Sequence, residues 1–286
     1  MALVYLNGTL GPLEEAKVSV MDRGFLFGDG IYEVIPVYGR KPFRLEEHLK
    51  RLRRSLETVR IANPHSDEEW RCLLAPVIAA AESEDQSLLI QVTRGAAPVR
   101  NHAFPQVATP TVFILAEPLN PPDAALKASG VAAVSAADNR WLRCDIKSIA
   151  LLANCLLRQK AVDAGCAETV MFRDGILTEG AAANIFVVKN GVLLAPQKNH
   201  LMLPGITYDV VLELAAQHGL ATEVRDITDA EVRAADELWL TSSTREILPI
   251  VTLDSRPIAN GRPGPIYAAM ENWYQQFKTE VMRHGG

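Results

Sequence analysis

The chain has 286 residues, 48% hydrophobic and 22% charged, with a net charge of −5; so apolar a composition with so little net charge excludes a disordered chain. A pI near 5.7 and the lack of a basic run argue against a general nucleic-acid binder, and the 18 Gly and 17 Pro show no collagen-like period. The length fits two domains, each large enough to own a core.

Residues 3–10 turn at Asn7-Gly8, a strong hairpin signal. Residues 32–45 read as two strands around Gly39-Arg40-Lys41. Leu45, Leu49, Leu52, Leu56 and Val59 then recur at helical spacing, giving an amphipathic helix with a basic outer face. Ser66 and Glu69 form a capping-box pattern that opens a second helix through Trp70, Leu73, Leu74, Val77 and Ile78. Strands are expected at 88–93 and 111–117. Three prolines within Pro118-Leu119-Asn120-Pro121-Pro122-Asp123 cannot continue a helix or strand interior. This places a small N-terminal α/β domain at 1–118, a linker at 119–124 and a C-terminal domain at 125–286.

Beyond the linker the pattern predicts a strand at 131–134 and a helix from about Ser148 to Ala164, closed by Gly165 as a left-handed cap. Hairpins follow around Asp174-Gly175 and Asn190-Gly191. A helix is expected at about 207–218, and a short one after Thr228, which forms a capping box with Glu231. A strand at 237–241 runs into Ser242-Ser243-Thr244, and a last helix carries Ile266, Met270, Trp273, Phe277 and Val281. Strands and helices mix without regular βαβ alternation, so the class is mixed α/β (α+β). No apolar run approaches the length of a membrane span. The N-terminal Met-Ala-Leu-Val-Tyr-Leu-Asn-Gly lacks the charged and apolar regions of a signal peptide. Cys72, Cys144, Cys155 and Cys166 form no CxxC pair, so reduced thiols and a cytoplasmic setting are expected.

The chain has no GxSxG elbow, no GxxxxGK[ST] loop and no HExxH, and its six His are dispersed, so no metal site is expected. Lysine is more informative, because the chain holds only nine against 20 Arg. A lysine becomes a good nucleophile when desolvation or a cationic neighbour lowers its pKa. Lys41, Lys189 and Lys198 lie in turn-like segments. Lys50 and Lys160 belong to polar helix faces, and Lys278 to the exposed face of the last helix. Lys17 and Lys127 have polar or small neighbours. Lys147 differs, standing at a strand-to-helix junction within a buried-looking segment. Two readings stay open for it: a covalent Schiff-base lysine, or one that snorkels outward or pairs with a carboxylate. Gly205-Ile206-Thr207 ahead of an apolar helix is either an anion site at a helix N-terminus or an ordinary capped turn. Thr241-Ser242-Ser243-Thr244 offers hydroxyls at a strand end or is a plain polar turn. Glu179 reads alone as a turn acid. The glycines of residues 22–33 point to close backbone approach.

Taken together, several stretches resemble the fold-type-IV pyridoxal-phosphate (PLP) enzymes, and within them the D-amino-acid transaminases of the D-alanine type. They are Asp22-Arg23-Gly24-Phe25-Leu26-Phe27-Gly28-Asp29-Gly30-Ile31-Tyr32-Glu33-Val34, Glu47-His48-Leu49-Lys50-Arg51-Leu52, Gln91-Val92-Thr93-Arg94-Gly95 and Arg140-Trp141-Leu142-Arg143-Cys144-Asp145-Ile146-Lys147-Ser148. Thr178-Glu179-Gly180, Ala183-Asn184-Ile185-Phe186, Leu203-Pro204-Gly205-Ile206-Thr207 and Thr241-Ser242-Ser243-Thr244 complete the set. The resemblance implies two domains with pyridoxal 5′-phosphate in the cleft between them, Lys147 as Schiff-base lysine and proton carrier, and Glu179 on the pyridine nitrogen. It further implies Arg51, Ile206, Thr207, Ser242 and Ser243 around the phosphate, and Leu203 against the ring.

On the substrate side the resemblance implies Tyr32 and Val34, with Arg100 and His102 reaching from a neighbouring subunit to hold the α-carboxylate. That makes the active unit at least a homodimer. The implied reaction is ping-pong transfer of the amino group from a D-amino acid to 2-oxoglutarate, giving a 2-oxo acid and D-glutamate. The alternatives of the same fold are a branched-chain L-amino-acid transaminase and an R-selective amine transaminase or aminodeoxychorismate lyase. Ala181-Ala182-Ala183 departs from the family's Ser-rich run, and the Arg100–His102 loop is one residue longer than the family pattern. Neither a membrane nor a nucleic acid is an expected partner.

Overall fold

The computed structural model of the protein describes residues 3–285; Met1, Ala2 and Gly286, and with them the start of the N-terminal segment considered above, lie outside the described residues. The chain forms two units. One comprises the described residues up to Leu119 together with Ile146–Leu151 and the stretch from Val281; the other comprises Asn120–Asp145 and Leu152–Glu280.

In the first unit β1 (Leu3–Leu6) and β2 (Thr9–Pro12) close the expected hairpin. Asn7 and Gly8 take φ of 48° and 94°, the left-handed pair that such a turn requires. Next come α1 (Arg23–Phe27), β3 (Gly30–Tyr38), β4 (Lys41–Pro42), α2 (Leu45–Thr58), α3 (Asp67–Ala80), β5 (Gln86–Thr93) and β6 (Thr111–Pro118). The antiparallel sheet runs β2-β1-β6-β5-β3-β4. Ile31, Ile35, Leu88, Ile90 and Val92 of the sheet pack with Leu49, Leu52 and Leu56 of α2 and Trp70, Leu74 and Val77 of α3. The capping box is present: Ser66 Oγ accepts from Glu69 N at 3.3 Å, and Ser66 N donates to Glu69 Oε2 at 2.6 Å.

The glycine-rich stretch contains a helix that periodicity does not reveal. Asp22 caps α1 by accepting from Gly24 N at 2.7 Å, and Gly28, at φ 66°, ends it. A Cβ on Gly24 would lie 2.3 Å from Thr93 Cγ2, so only glycine lets this turn lie against the sheet.

The second unit holds α4 (Ala124–Ser129), β7 (Val131–Ala137), α5 (Leu152–Asp163), β8 (Glu168–Arg173), β9 (Ile176–Gly180), β10 (Asn184–Lys189) and β11 (Val192–Ala195). It continues with α6 (Ile206–Gln217), β12 (Thr222–Val224), α7 (Asp229–Arg233), β13 (Glu237–Ser242), β14 (Glu246–Leu253), β15 (Arg256–Pro257) and α8 (Pro265–Glu280). Its sheet runs β12-β11-β10-β13-β14-β7-β8-β9, with β15 on β14. The β11–β12, β14–β7 and β7–β8 pairs are parallel and the rest antiparallel. Two units of mixed strands and helices make the fold α+β, as expected.

Two local expectations change, and one strand appears where none was expected. The helix expected from Ser148 begins at Leu152, because residues 147–149 are held as extended chain along β3: Tyr32 N donates to Lys147 O at 2.9 Å, Ile149 N to Gly30 O at 3.1 Å, and Ser148 bridges Ile31. β14 is a strand that the residues do not announce, since Pro249 in its middle argues against one. Lys278 is buried rather than exposed, with its Nζ 2.6 Å from Glu246 Oε1; Lys127 Nζ meets Glu246 Oε2 at 2.6 Å and Glu271 Oε1 at 2.7 Å. Burial pushes the Glu246 carboxyl up, but the two ammonium groups outweigh it and hold it below the usual carboxylate range. An ammonium is tolerated inside α8 because it meets a carboxylate there.

Candidate active site

β3 divides its residues by the pleat. Ile31, Glu33, Ile35 and Val37 are buried, while Tyr32 and Val34 lie half-buried on the other face. Glu33 therefore sits, fully buried, among the apolar contacts between the sheet and α2. Two α2 residues at helical spacing meet it. Arg51 donates from Nε to Oε1 and from Nη2 to Oε2, both at 2.7 Å, and His48 Nδ1 lies 2.8 Å from Oε2. Burial pushes the Glu33 carboxyl up, but Arg51 and His48 outweigh it and hold it at about 2. Burial also holds the His48 imidazole below its usual value, against the pull of Glu33. A bidentate pair fixes the Arg51 guanidinium plane as well as its charge.

Lys147 is half-buried. Its Nζ stands 4.2 Å from the centroid of the Tyr32 ring, and its carbonyl holds the Tyr32 N–H. Among the described residues it is the one lysine that is not exposed yet has neither a carboxylate nor a carbonyl on its ammonium.

Glu179, at the end of β9, is buried. Its Oε1 accepts from Arg140 Nη1 at 2.6 Å, and its Oε2 from Leu203 N at 3.2 Å and Asn184 Nδ2 at 3.3 Å. Burial raises the carboxyl to about 7 even though Arg140 pulls the other way. Arg140 shares its guanidinium with Asp138, donating at 2.9 and 2.8 Å, so its charge is divided between two acids. Because the folded-state value stands above the ordinary one near about 4.3, the folded protein holds a proton that the unfolded chain releases. Glu179 thus adds stability that is complete below about pH 4 and is lost as the pH rises through 7. Glu179→Gln should flatten that fall when urea unfolding of the ligand-free protein is compared at pH 5 and pH 8; identical pH profiles would contradict the raised value.

α6 opens at Gly205 without a side-chain cap, so the N–H groups of buried Ile206 and Thr207 have no intrahelical acceptor. Asn184 explains the glycine, since a Cβ at 205 would lie 2.1 Å from Asn184 Oδ1. Asn184 also donates to Leu203 O at 2.9 Å, fixing Leu203 beside Glu179. At the end of β13 the Thr241 hydroxyl is buried with no hydrogen-bond partner among the described residues. Ser242 Oγ accepts from Arg245 N at 3.1 Å, and Ser243 is half-buried in the turn that follows.

Arg100 and His102 lie exposed on the long connection between β5 and β6. The Arg100 guanidinium stands 5.0 Å from the Phe27 ring centroid, and the His102 ring 5.2 Å from it.

The structure thus joins Lys147 to Tyr32, Glu179 to Leu203, and Arg100 to His102 through Phe27. Sequence reasoning assigned no role to Glu33, Arg140 or Asn184. A charged residue at an inward position of an alternating strand is the signal that marks Glu33.

The amino-transferase class IV family model matches residues 30–253. A D-alanine aminotransferase of Bacillus licheniformis is 40% identical over 263 residues, covering 92% of both chains. One from Listeria monocytogenes is 37% identical over 284 residues, covering 99% of this chain and 97% of its own. Among solved structures, the branched-chain aminotransferase of the thermophilic archaeon Thermoproteus uzoniensis with norvaline superposes with a TM-score of 0.87 at 27% identity, covering 98% of this chain and 96% of its own.

Proposed function

Because the chain belongs to the amino-transferase class IV family, we propose that it transfers the amino group of a D-amino acid of the D-alanine type to 2-oxoglutarate, giving a 2-oxo acid and D-glutamate. The observation that carries this reading is the 37–40% identity to D-alanine aminotransferases over nearly the whole chain. Pyridoxal 5′-phosphate is the cofactor the reading requires, and the donor set suits it. A buried carboxyl raised to about 7 matches a pyridine nitrogen, the uncapped start of α6 and the oriented Arg51 suit a phosphate, and Lys147 is an amine without an acidic partner among the described residues.

In this reading Lys147 would hold the cofactor through its amine, and its Nζ, once released, would take the substrate's α-proton and later return one. Glu179 would face the ring nitrogen and hold its proton, with Arg140 beside it. Arg51, Ile206 N, Thr207, Ser242 and Ser243 bind the phosphate, and Leu203 packs on the ring. Bound pyridoxal phosphate would supply the electron sink for the charge left when the α-proton departs. Tyr32 and Val34 face substrate, and Arg100 and His102 hold its carboxylate.

The last assignment goes with a homodimer in which each subunit lends this pair to the other. A groove in the first unit, lined by Leu6, Leu13, Val18, Phe25 and Phe113, with Phe25 71% exposed, supports a face covered by a second copy. The enzyme would work in the cytoplasm; among the described residues no helix is long and apolar enough to cross a membrane.

Separate half-reactions with D-alanine, L-leucine and R-1-phenylethylamine test the reading. Conversion of the cofactor's absorbance by D-alanine is expected. Conversion by L-leucine alone would favour the branched-chain reading, to which the structural likeness belongs. Arg100→Ala should raise KM for D-alanine on the order of 10- to 100-fold, the loss of a charge-assisted contact, while cofactor affinity is unchanged. An unaltered KM removes Arg100 from the carboxylate site.

A further inference from the structure

The connection carrying Arg100 and His102 leaves β5 at Thr93 and reaches β6 only at Thr111, with no helix or strand of its own. Both side chains are exposed, so some other group must set their position.

Arg23 is that group. It is 3% exposed, and its guanidinium is spent on the backbone of the loop. Nη1 donates to Asn101 O at 2.5 Å and Ala103 O at 3.3 Å, and Nη2 donates to His102 O at 3.1 Å. Its third direction is taken by Asp29, which accepts from Nε at 2.7 Å. Arg94 in turn pins Asp29 through 2.8 and 2.9 Å bonds and donates to the carbonyls of Arg60 and Val59 at the end of α2. Burial pushes the Asp29 carboxyl up, but the two arginines outweigh it and keep it below its usual range. Phe104 of the same loop lies against this cluster, its ring centroid 3.6 Å from the Arg94 guanidinium carbon and 5.9 Å from that of Arg23.

Phe27 completes the arrangement one helical turn after Arg23. Its ring takes the Arg23 guanidinium at 4.8 Å, the Arg100 guanidinium at 5.0 Å and the His102 ring at 5.2 Å. One short helix therefore presents a buried cation to the loop's carbonyls and an aromatic platform to its two functional side chains.

We propose that Arg23 and Phe27 are positioning residues for substrate-carboxylate recognition: Arg23 holds the backbone of residues 101–103, and Phe27 orients Arg100 and His102. The inference rests on the reading of that pair as the carboxylate anchor. It adds what aims the pair, and it makes α1 a determinant of affinity for acids, because a carboxylate site loosened by an ångström loses most of its value.

The test uses the holoenzyme and four variants: Arg23→Lys, Phe27→Leu, Arg100→Ala and the double variant Arg23→Lys/Arg100→Ala. Thermal melts and cofactor content establish that each is folded and loaded. Arg23→Lys and Phe27→Leu should each raise KM for D-alanine and 2-oxoglutarate about 10-fold with kcat within about threefold. The double variant should fall short of the product of the two single effects, because part of the support acts through the residue already removed and only the part that acts through His102 remains. The inference fails if Arg100→Ala raises KM while Arg23→Lys and Phe27→Leu leave it unchanged, or if the effects of Arg23→Lys and Arg100→Ala multiply in the double variant. A flat response to Arg100→Ala itself overturns the anchor reading, and the inference with it. Should Arg23→Lys not fold, Phe27→Leu decides, since Phe27 is only half-buried.

Discussion

Lys147→Ala should abolish transamination, with kcat lower by about 10^4, the upper end of what a positioned base contributes and equivalent to about 5.4 kcal/mol of barrier. The expectation comes from Lys147 being half-buried, free of any acid among the described residues and beside Tyr32. Lys278 shows why burial alone does not select a catalytic lysine. It is more deeply buried, yet Glu246 occupies its ammonium. Borohydride reduction of the loaded enzyme followed by peptide mapping separates the two. The cofactor should be found on the peptide carrying Lys147, and a label on Lys278 or any other lysine would refute the assignment. Lys147→Ala should melt close to the wild type, since its main-chain bond to Tyr32 survives the change.

Removing Glu33 should cost the first unit a large part of its stability. Glu33→Ala leaves the Arg51 guanidinium and the His48 ring in the core without the carboxylate that both face, at a cost of about 3–5 kcal/mol. That is a large share of the roughly 5–15 kcal/mol by which folded proteins are stable. The pH dependence has a definite sign. Glu33 is held at about 2, below its unfolded value, so its contribution is present above about pH 4 and is lost as the pH falls toward 2. Urea unfolding at pH 7 and pH 3 should therefore show Glu33→Ala closing on the wild type in acid. An apolar pair, Glu33→Leu with Arg51→Met, should recover much of the stability while weakening cofactor retention. Full retention by that pair would show that Arg51 does not hold the phosphate.

Local chemistry was legible in the residues. The hairpins at Asn7-Gly8, Asp174-Gly175 and Asn190-Gly191 and the capping boxes at Ser66 and Thr228 formed as expected, because each is decided within four residues. What the sequence concealed is decided by partners remote in the chain. Residues 148–151 have helical composition, but Ser148 and Ile149 are held along β3. Lys278 has the spacing of an exposed position but meets Glu246 on β14. Arg51 could be told from Lys50, Arg53 and Arg54 by resemblance alone, and the physical reason lies on β3 in Glu33. The support of Arg100 and His102 by Arg23 was equally hidden, since its bonds go to carbonyl groups that every sequence possesses.

The pleat of β3 has an evolutionary consequence. Tyr32 and Val34 can be exchanged for larger, smaller or more polar side chains without disturbing the ion pair that braces Arg51, because neighbouring residues answer to opposite faces of one strand. With the roles proposed for Tyr32, Val34 and Arg51, substrate preference and cofactor retention would drift independently under substitution. They are locked together under insertion or deletion, since a shift of one residue between Gly30 and Glu33 would turn both sets over at once. Relatives with new substrates are expected to differ at 32 and 34 while keeping the length of this strand.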